Sequence, residues 1–572
     1  MERTIATVEC DLLARFNQAG VLTPADVHVA SRVAKMVNEA RAEARLVLAL
    51  VVKAIREGSV CVDVDTLPTA PTDSLAQNWD ISSEQWPSTD WVHVLETSPL
   101  TTLNPPVLHL DGRRVYAQRY WVEETQVLHQ LLARLTPLED IDGVWAVVEK
   151  YFPDPTYADQ ARAAYVATTR NLAIITGGPG SGKTTTLARM LGIWLERDPH
   201  VRVGLAAPTG KAVARMAQAL GQATAQDTFP GEYRERITAI PATTVHRLLG
   251  YTPGGQVRYN KHNPLPYEVV VVDEASMVSL PLMARLFDAL RPHTRVVLVG
   301  DGHQLASVEA GAVFADLVQG FTDHPQSPVV KLGPSRRFGL GIHTLAQAVR
   351  NGDQAGLNEV LHNATGVAGV TRIGVGELTT ELQIHAEKLA RIANDGDAQA
   401  ALELLQAQQV LCAHRDGPYG VRVWNQAMAT HLNPGGEHWF VGQPVLVTHN
   451  DHALRLFNGD HGVVINRGDR LVVAFDQGEG IREVGLSQLS HLIPAYAMTV
   501  HRAQGSQFET VSVVLPHADS PLLTRELIYT AITRASQTVR LVGSEESLRV
   551  GVAKRVQRAS GLVERLGGLP LH

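Results

Sequence analysis

Residues 171–190 read NLAIITGGPGSGKTTTLARM, and the fold is decided in this stretch. A short apolar run at 172–175, bounded by turn residues, predicts a buried strand. The glycine-rich loop GGPGSGKT follows at 177–184, and helical spacing predicts a helix over 185–194. Strand, loop and helix in this order are typical of a phosphate-binding P-loop.

The chemistry of phosphate binding explains why this loop is rich in glycine. Backbone N–H groups can close on phosphate oxygens only where no Cβ intrudes, and the N-terminus of the following helix adds partial positive charge. We expect Lys183 to reach the outer phosphates and the Thr184 hydroxyl to ligate Mg²⁺. The stretch therefore predicts a site for ATP and Mg²⁺. Its predicted contacts are Gly177, Gly178, Pro179, Gly180, Ser181, Gly182, Lys183, Thr184 and Thr185.

The composition is that of a large folded protein. Its 572 residues exceed the size of one domain, so three or four are expected. The apolar fraction of 45% supports full-sized cores, and the charged fraction of 19% does not indicate disorder. The formal net charge of −7 lacks the overall basic signature of a nucleic-acid-binding protein. A local basic groove stays open, because binding depends on where charges lie.

Cysteine usage and the N-terminal sequence indicate where in the cell the protein is expected. Cys10, Cys61 and Cys412 form no CxxC pair, so neither a disulfide framework nor a zinc site is predicted. The N-terminus lacks the plan of a signal peptide, and the apolar run at 46–52 is far shorter than the ~20 residues that span a bilayer. These features predict a cytoplasmic protein.

Apolar patterning divides the chain into regions. The first 60 residues are predicted to be helical, and an Asp-Gly turn predicts a hairpin over 110–116. From there to about residue 300, short apolar strands alternate with helices, which is typical of a parallel sheet with helices on both faces. A second alternating region covers roughly 345–572, and the dense Val and Gly content of 440–492 predicts a small β-rich insert within it.

Two acids follow a second apolar strand. YEVVVVDEASM at 267–277 predicts a buried strand that ends at Asp273 and Glu274. Open parallel sheets bind ligands at the carboxyl ends of their strands, so Asp273 is expected to hold Mg²⁺ and Glu274 to polarise the attacking water. The alternative is that the two acids are simply solvated at the end of a strand. A P-loop in the same sheet makes this the weaker interpretation.

Two further strand ends carry polar residues. The run VVLVGDGHQL at 296–305 places Gln304 as a candidate γ-phosphate sensor, because a neutral amide can donate to phosphate and accept from water. APTGKA at 207–212 opens a helix, where Thr209 and Lys211 could contact a phosphodiester backbone.

Eight short segments occur in an order that resembles one helicase superfamily. They are the P-loop, APTGKA at 207–212, TTVHRLLG at 243–250, VVDEASM at 271–277, GDGHQL at 300–305, SRRF at 335–338, AYAMTVHRAQGSQF at 495–508 and YTAITRA at 529–535. The array resembles superfamily-one helicases, in the branch that moves 5′ to 3′ on single-stranded DNA.

Within that branch the chain resembles the RecD family of RecBCD helicase–nuclease subunits (exodeoxyribonuclease V alpha chains). The likeness extends over nearly the whole chain and includes GSVCVDVDTL at 58–67, RRVYAQRYW at 113–121, RDGPYGV at 415–421 and NDHALRLFNGDHG at 450–462. It implies two RecA-like P-loop motor domains of the α/β class, a mainly helical N-terminal domain and a small β-barrel-like insert. The implied bounds are 1–110 for partner docking, 111–345 and 346–572 for the two motor domains, and 440–492 for the insert.

The resemblance also implies roles for single residues. Gln160 would read the adenine edge, and Arg337 and Arg534 would reach the γ-phosphate from the second motor domain. A planar guanidinium suits that role because it can bridge two of the phosphoryl oxygens over which charge spreads. Arg336 stands where the family often has an aromatic residue, so the choice between Arg336 and Arg337 stays open.

The residues that the resemblance assigns to DNA carry hydroxyl, imidazole, guanidinium and amide groups, which can bond phosphate without reading sequence. They are Thr499, His501, Arg502 and Gln504, with His246 a further candidate. For both histidines, a packing role remains the alternative.

The expected function is an ATP-dependent 5′-to-3′ DNA helicase subunit that works with RecB-like and RecC-like partners on double-strand DNA ends, in recombinational repair. Nuclease activity is assigned to the complex, because the sequence contains no acid-x-Lys pattern that would hold catalytic metals. Two alternatives stay open: a stand-alone helicase of the same branch, and a non-catalytic structural subunit with a decayed motor.

Overall fold

The computed structural model describes residues 10–567, except for 68–85, 137, 139–141, 227–228, 253, 334–338, 363–368, 452 and 477–479. The described residues form four sheets, two of them parallel and two antiparallel.

The N-terminal region is mainly helical, as predicted. Its second helix begins with a capping box, in which the Thr23 hydroxyl and the Asp26 side chain each accept from the other residue's backbone N–H. A three-stranded antiparallel sheet follows, and the boundary predicted at 110 falls inside its hairpin. The elements are α1 (Asp11–Gln18), α2 (Pro24–Met36), α3 (Ala42–Arg56), β1 (Cys61–Asp63), α4 (Trp91–Glu96), α5 (Pro99–Thr102), β2 (Leu108–Asp111) and β3 (Arg114–Ala117).

The first motor domain contains a six-stranded sheet whose strands are paired in parallel in the order β6-β5-β7-β8-β4-β9. Its central strands are apolar and buried on both faces, which is why they lack polar alternation. The helices are α6 (Gln118–Leu132), α7 (Val144–Tyr151), α8 (Ala158–Thr169), α9 (Lys183–Arg197), α10 (Gly210–Thr224), α11 (Arg234–Thr238), α12 (Val245–Leu248), α13 (Leu280–Asp288) and α14 (Val313–Gly320). The strands are β4 (Leu172–Thr176), β5 (Val203–Ala207), β6 (Ala242–Thr244), β7 (Val269–Val272), β8 (Arg295–Gly300) and β9 (Val329–Lys331).

The second motor domain has a five-stranded parallel sheet in the order β10-β19-β18-β11-β17. The boundary predicted at 345 falls inside its first helix, which packs in this domain's core. The helices are α15 (Leu340–Asn351), α16 (Gln354–His362), α17 (Val375–Asn394), α18 (Ala398–Ala407), α19 (Val421–Leu432), α20 (Arg525–Ile532) and α21 (Glu545–Ala553). The strands are β10 (Val370–Ile373), β11 (Gln408–Cys412), β17 (Ala497–Thr499), β18 (Phe508–Val514) and β19 (Ala535–Val542).

The β-rich insert is present between β11 and β17. Its strands are β12 (Pro444–Val447), β13 (His461–Asn466), β14 (Leu471–Asp476), β15 (Ile481–Gly485) and β16 (Leu492–Pro494), all paired antiparallel. The described pairs run from β15 to β16 as an open sheet, rather than closing into the barrel-like form that we expected.

The last described segment leaves the second motor domain and returns to the first. Its helix α22 (Leu562–Gly567) packs on α14, with Leu562 and Leu566 fully buried in the core of the first domain. Ala559 exchanges hydrogen bonds with residues 59–60: its carbonyl accepts from Val60 N at 2.9 Å, and its N–H donates to Ser59 Oγ at 3.1 Å. This segment therefore packs on the first domain, although the predicted bounds of the second domain, 346–572, include it.

These sheets confirm the predicted fold class. Two parallel α/β sheets, a helical N-terminal region and a small β-rich insert are all present. The carboxyl ends of β4, β5, β7 and β8 meet at one edge of the first sheet, so the loops that follow them lie together.

Candidate active site

The loop after β4 has the conformation that its glycines predict. Gly180 and Gly182 have φ of +79° and +86°, which residues with a Cβ rarely adopt. At Gly177, an ideal Cβ would lie 2.5 Å from Ser181 Oγ, so a side chain there would clash with the loop itself. Lys183 opens α9, and its Nζ donates to Gly177 O at 2.6 Å, which holds the ammonium over the loop.

The two acids stand at the end of β7. Asp273 N donates to Ala206 O of the neighbouring strand, and Asp273 Oδ1 accepts from Glu274 N at 2.9 Å. Glu274 has φ of +51°, a strained value for a residue with a side chain, and such strain persists where the surrounding structure fixes it. Burial, with repulsion from Glu274, raises the pKa of Asp273 to about 6, while Lys183 opposes the rise.

A hydrogen-bond chain joins the two motor domains at this site. Arg534 Nη2 donates to Gln304 Oε1 at 2.9 Å, and Gln304 Nε2 donates to Asp301 Oδ2 at 3.1 Å. The Tyr529 hydroxyl also donates to Asp301 Oδ2, at 3.0 Å. Arg534 is only 2% exposed, and desolvation by burial lowers its pKa from the ordinary value. The guanidinium of the second domain is thus held inside the first domain's site.

Six predicted catalytic or metal-binding residues line one cavity of about 80 Å³. They are Lys183, Thr184, Asp273, Glu274, Gln304 and Arg534. The seventh, Arg337, lies outside the described residues, as does Arg336. Gln160 lies beside the loop, and its Nε2 donates to Ser181 O at 3.1 Å.

Sequence reasoning missed three residues of the site. Arg215 lines the same cavity, and it stands four residues after Lys211 on α10, so helical spacing from APTGKA was the signal for it. Asp301 and Tyr529 lie inside quoted motifs, but without the fold nothing indicated that they bond to each other.

The oxygen ligands present fit a magnesium ion. The Thr184 hydroxyl and the Asp273 carboxylate line the same small cavity, and hard oxygen ligands from one or two side chains, completed by phosphate and water, are what Mg²⁺ prefers. Among the described residues there is no group of three or more His, Cys, Asp or Glu that could hold a metal. A magnesium ion here would therefore depend on the nucleotide for its remaining ligands.

The residues assigned to DNA are in different environments. Thr209 caps α10, and His246 is exposed on α12 beside Tyr251, with ring centroids 5.0 Å apart. Thr499, the last residue of β17, is buried, and Arg502 in the loop that follows is half-buried. Burial lowers the pKa of His501 in the same loop.

Two of the assigned residues are engaged within the chain. Gln504 is buried, and its Nε2 donates to Leu305 O at 2.9 Å across the domain interface. Lys211 Nζ donates to Gly459 O of the insert at 3.4 Å, and burial lowers its pKa to about 8 despite the nearby Asp460. In this structure Gln504 is a contact between domains rather than part of an open groove, and Lys211 joins the first domain to the insert.

The chain was compared with known proteins. Residues 18–116 match the family described as RecBCD enzyme subunit RecD, N-terminal domain; residues 160–310 match an AAA domain; residues 494–542 match a UvrD-like helicase C-terminal domain. The RecBCD enzyme subunit RecD of Mycobacterium tuberculosis is 44% identical over 574 residues, covering 97% of this chain and 96% of that protein. The chain belongs to the RecD family.

Other RecD-family proteins are more distant. The RecBCD enzyme subunit RecD of Haemophilus influenzae is 31% identical, covering 85% of each chain. The ATP-dependent RecD2 DNA helicase of Deinococcus radiodurans is 34% identical, covering 77% of this chain and 57% of that protein.

A solved structure of Bacteroides Pif1 bound to ssDNA has 18% identity and a TM-score of 0.38, covering 68% of this chain and 94% of that one. This likeness is too low to support an argument.

RecD-family membership confirms the enzyme class predicted from the motifs, an ATP-dependent helicase with a nucleotide-binding P-loop domain. It also bears out the family resemblance on which the site residues were assigned, although the role of each residue remains a prediction. In the described part of this RecD-family chain, no helix combines the length and the apolar character needed to cross a bilayer.

Proposed function

We propose that this RecD-family chain is a DNA motor whose ATP site is divided between two domains. The observation that carries the proposal is the hydrogen bond from Arg534 to Gln304, because it joins an arginine of the second domain to the candidate γ-phosphate sensor of the first. A site built in this way is complete only when the domains are closed, so closure and hydrolysis are coupled.

Within the site each side chain has a distinct task. Lys183 and the loop N–H groups bind the β- and γ-phosphates, and Arg534 stabilises the charge that spreads over the transferring phosphoryl group. Glu274 orients the attacking water and accepts its proton. Thr184 and Asp273 would hold Mg²⁺, which, when bound, neutralises phosphate charge. Gln160 would bond the adenine edge.

Coupling to DNA would pass through the loop after β17. Gln504 donates to Leu305 O, and Leu305 adjoins Gln304, so a shift of this loop is transmitted directly to the γ-phosphate sensor. We assign DNA backbone contacts to the end of β17, to the loop after it and to two helix starts of the first domain, with the residues Thr209, His246, Thr499, His501 and Arg502. Movement from 5′ to 3′ is proposed from RecD-family membership.

We further propose that the chain works in the cytoplasm with RecB-like and RecC-like subunits on double-strand DNA ends, in recombinational repair. The support is that the Mycobacterium and Haemophilus relatives are named as RecBCD enzyme subunits and match along most of their length. The N-terminal region, 1–110, would dock to the RecC-like partner, and nuclease activity would reside elsewhere in the complex.

A stand-alone helicase is the second candidate, since the Deinococcus relative is named as a helicase in its own right. Unwinding of substrates with a 5′ or a 3′ single-stranded tail, by the chain alone and after co-expression with both partners, separates the two. We expect strong 5′-tail unwinding only from a stable heterotrimer. Equal processive unwinding by the chain alone would favour the stand-alone enzyme, and unwinding from 3′ tails only would contradict the proposed polarity.

A further inference from the structure

A second and much larger cavity lies between the motor domains, behind the nucleotide loop. Its volume is about 860 Å³. It begins at Gly177, Gly178 and Pro179 and continues between α14 of the first domain and α15 and α20 of the second. Pro179 and Gln304 line both this cavity and the small one that holds the predicted catalytic residues. The large cavity therefore adjoins the γ-phosphate end of the site.

Five cationic side chains line the large cavity. They are Lys331, Arg350, Arg525, Arg555 and Arg558. Within the described part of the chain, none of these five forms an ion pair with a carboxylate. Cations left unpaired around one space make it favourable for an anion.

The acids that line the cavity do not cancel this charge. Asp301 accepts from Tyr529 and Gln304, so it is turned toward the domain contact. Burial raises the pKa of Asp316 to about 7, and burial also raises the pKa of Glu526, which accepts from Val556 N. Ser560 and Arg558 oppose the rise at Asp316, and even with all three carboxyl groups charged the five cations outnumber them in the cavity lining.

The cations extend from the inside of the cavity to its mouth. Arg350, Arg525 and Arg558 are half-buried, and the buried Nε of Arg558 has no hydrogen-bond partner. Lys331 and Arg555 are exposed to solvent. An anion that enters at the loop would thus pass from half-buried to exposed cations on its way out.

Tyr529 lines the large cavity beside the nucleotide loop. An ideal Cβ on Gly178 would lie 3.0 Å from Tyr529 Oη, so the tyrosine ring end rests against the loop where that glycine leaves room. The Tyr529 hydroxyl donates to Asp301, which also holds Gln304. The tyrosine hydroxyl therefore contacts both the loop and Asp301, next to Pro179 and Gln304, which line both cavities.

We propose that the large cavity binds orthophosphate released from ATP and conducts it to solvent. This inference rests on the proposed function, because hydrolysis at the loop must supply the phosphate. ATP and water give ADP and orthophosphate at the loop, and the orthophosphate then moves past Tyr529 without further bond changes. Arg350 holds it inside the cavity, and Arg555 draws it to the mouth.

A binding measurement tests the cavity without requiring hydrolysis. Broadening of the ³¹P resonance of orthophosphate is measured with the full-length chain, the Lys183→Gln variant, and the Arg350→Gln/Arg555→Gln double variant. Arg549→Gln is the matched control, because Arg549 is exposed in the same domain and does not line the cavity. Circular dichroism spectra check that each variant is folded.

The broadening should persist in Lys183→Gln and in the control, and fall about fivefold or more in the double variant, since charge-assisted contacts are lost. If the broadening is lost in Lys183→Gln but kept in the double variant, the proposal is overturned, because phosphate would then bind only at the nucleotide loop. Absence of broadening in every protein, wild type included, would overturn it as well.

Kinetics test the release path. Rapid quench measures ATP cleavage and a fluorescent phosphate sensor measures orthophosphate release, both with single-stranded DNA present. In the double variant cleavage should be unchanged and release should lag it about fivefold or more. The proposal would be overturned if the double variant releases orthophosphate at the wild-type rate. It would also be overturned if ATP cleavage slows and orthophosphate release does not lag further behind it. If the wild-type chain hydrolyses no ATP, the proposed function fails, and the binding measurement still decides the cavity.

Discussion

Arg534 of the second motor domain donates its Nη2 to Gln304 Oε1 of the first at 2.9 Å. Neither side chain faces solvent, and Gln304 is linked to Asp301 and through it to Tyr529. A buried bond between an arginine and a neutral amide is strong because one partner is charged. Both domains therefore contribute to this end of the proposed ATP site.

Gln304→Ala should therefore impair hydrolysis more than nucleotide binding. The substitution leaves the Arg534 guanidinium without its interdomain acceptor and removes the candidate sensor. We expect kcat for ATP to fall about 10- to 100-fold, with a smaller change in KM, because the interaction acts mainly in the transition state. Gln218→Ala is the control, because Gln218 is exposed on α10 and lines neither cavity. An unchanged kcat would contradict the sensor role.

Gln504→Ala should uncouple DNA from hydrolysis. Its Nε2 donates to Leu305 O, so the substitution leaves a buried carbonyl without that donor and frees the loop after β17 from the first domain. We expect stimulation of ATPase by single-stranded DNA to fall about tenfold while the rate without DNA changes less. If both rates fall in parallel, Gln504 has only a packing role.

Leu562→Ala tests the return of the C-terminal segment to the first domain. Leu562 is 1% exposed in that domain's core, so truncation should lower the free energy of unfolding by about 2–5 kcal/mol, measured by urea denaturation. Leu340→Ala is the matched control, because that leucine is 80% exposed and should change stability by less than about 0.5 kcal/mol. Equal effects at both positions would contradict the packing described here.

Asp316→Asn should change how stability depends on pH. Burial raises the pKa of Asp316 to about 7 from its ordinary value of 3.8, so the folded state holds a proton that the unfolded chain releases. Stability in the wild type is therefore lost progressively between about pH 4 and pH 7, by at most about 1.4 kcal/mol per pH unit. The variant lacks this loss, so its melting temperature should rise relative to wild type from pH 5 to pH 7.5. A difference independent of pH would show that Asp316 titrates normally.

Short sequence patterns were enough to predict the nucleotide loop and the two acids of the site. The strand at 172–175, the glycine loop and the acids after β7 follow from short apolar runs and from residues that the backbone conformation requires. Gln304 was predicted from the polar end of a strand and Arg534 from the family resemblance, and their direct contact became visible only when the two sheets were placed together.

What could not be predicted depends on contacts between distant segments. The side chains of Lys211 and Gln504 carry the polar groups of DNA contacts, yet the insert and the Leu305 loop occupy them. The return of α22 gave no signal, because a six-residue helix with two leucines has no distinctive period. The large cationic cavity is likewise formed by residues from both domains that no single motif contains.

The central claim is that hydrolysis requires both halves of a divided ATP site. The most direct measurement is DNA-stimulated ATPase of the chain, in complex with the proposed RecB-like and RecC-like partners, for wild type, Lys183→Gln, Arg534→Lys and the control Arg549→Gln. We expect Lys183→Gln to abolish the activity of this subunit, and Arg534→Lys to lower kcat about 100-fold or more while nucleotide still binds, since lysine cannot bridge two oxygens. ATPase of this subunit that survives Lys183→Gln or Arg534→Lys at the wild-type rate would contradict the claim.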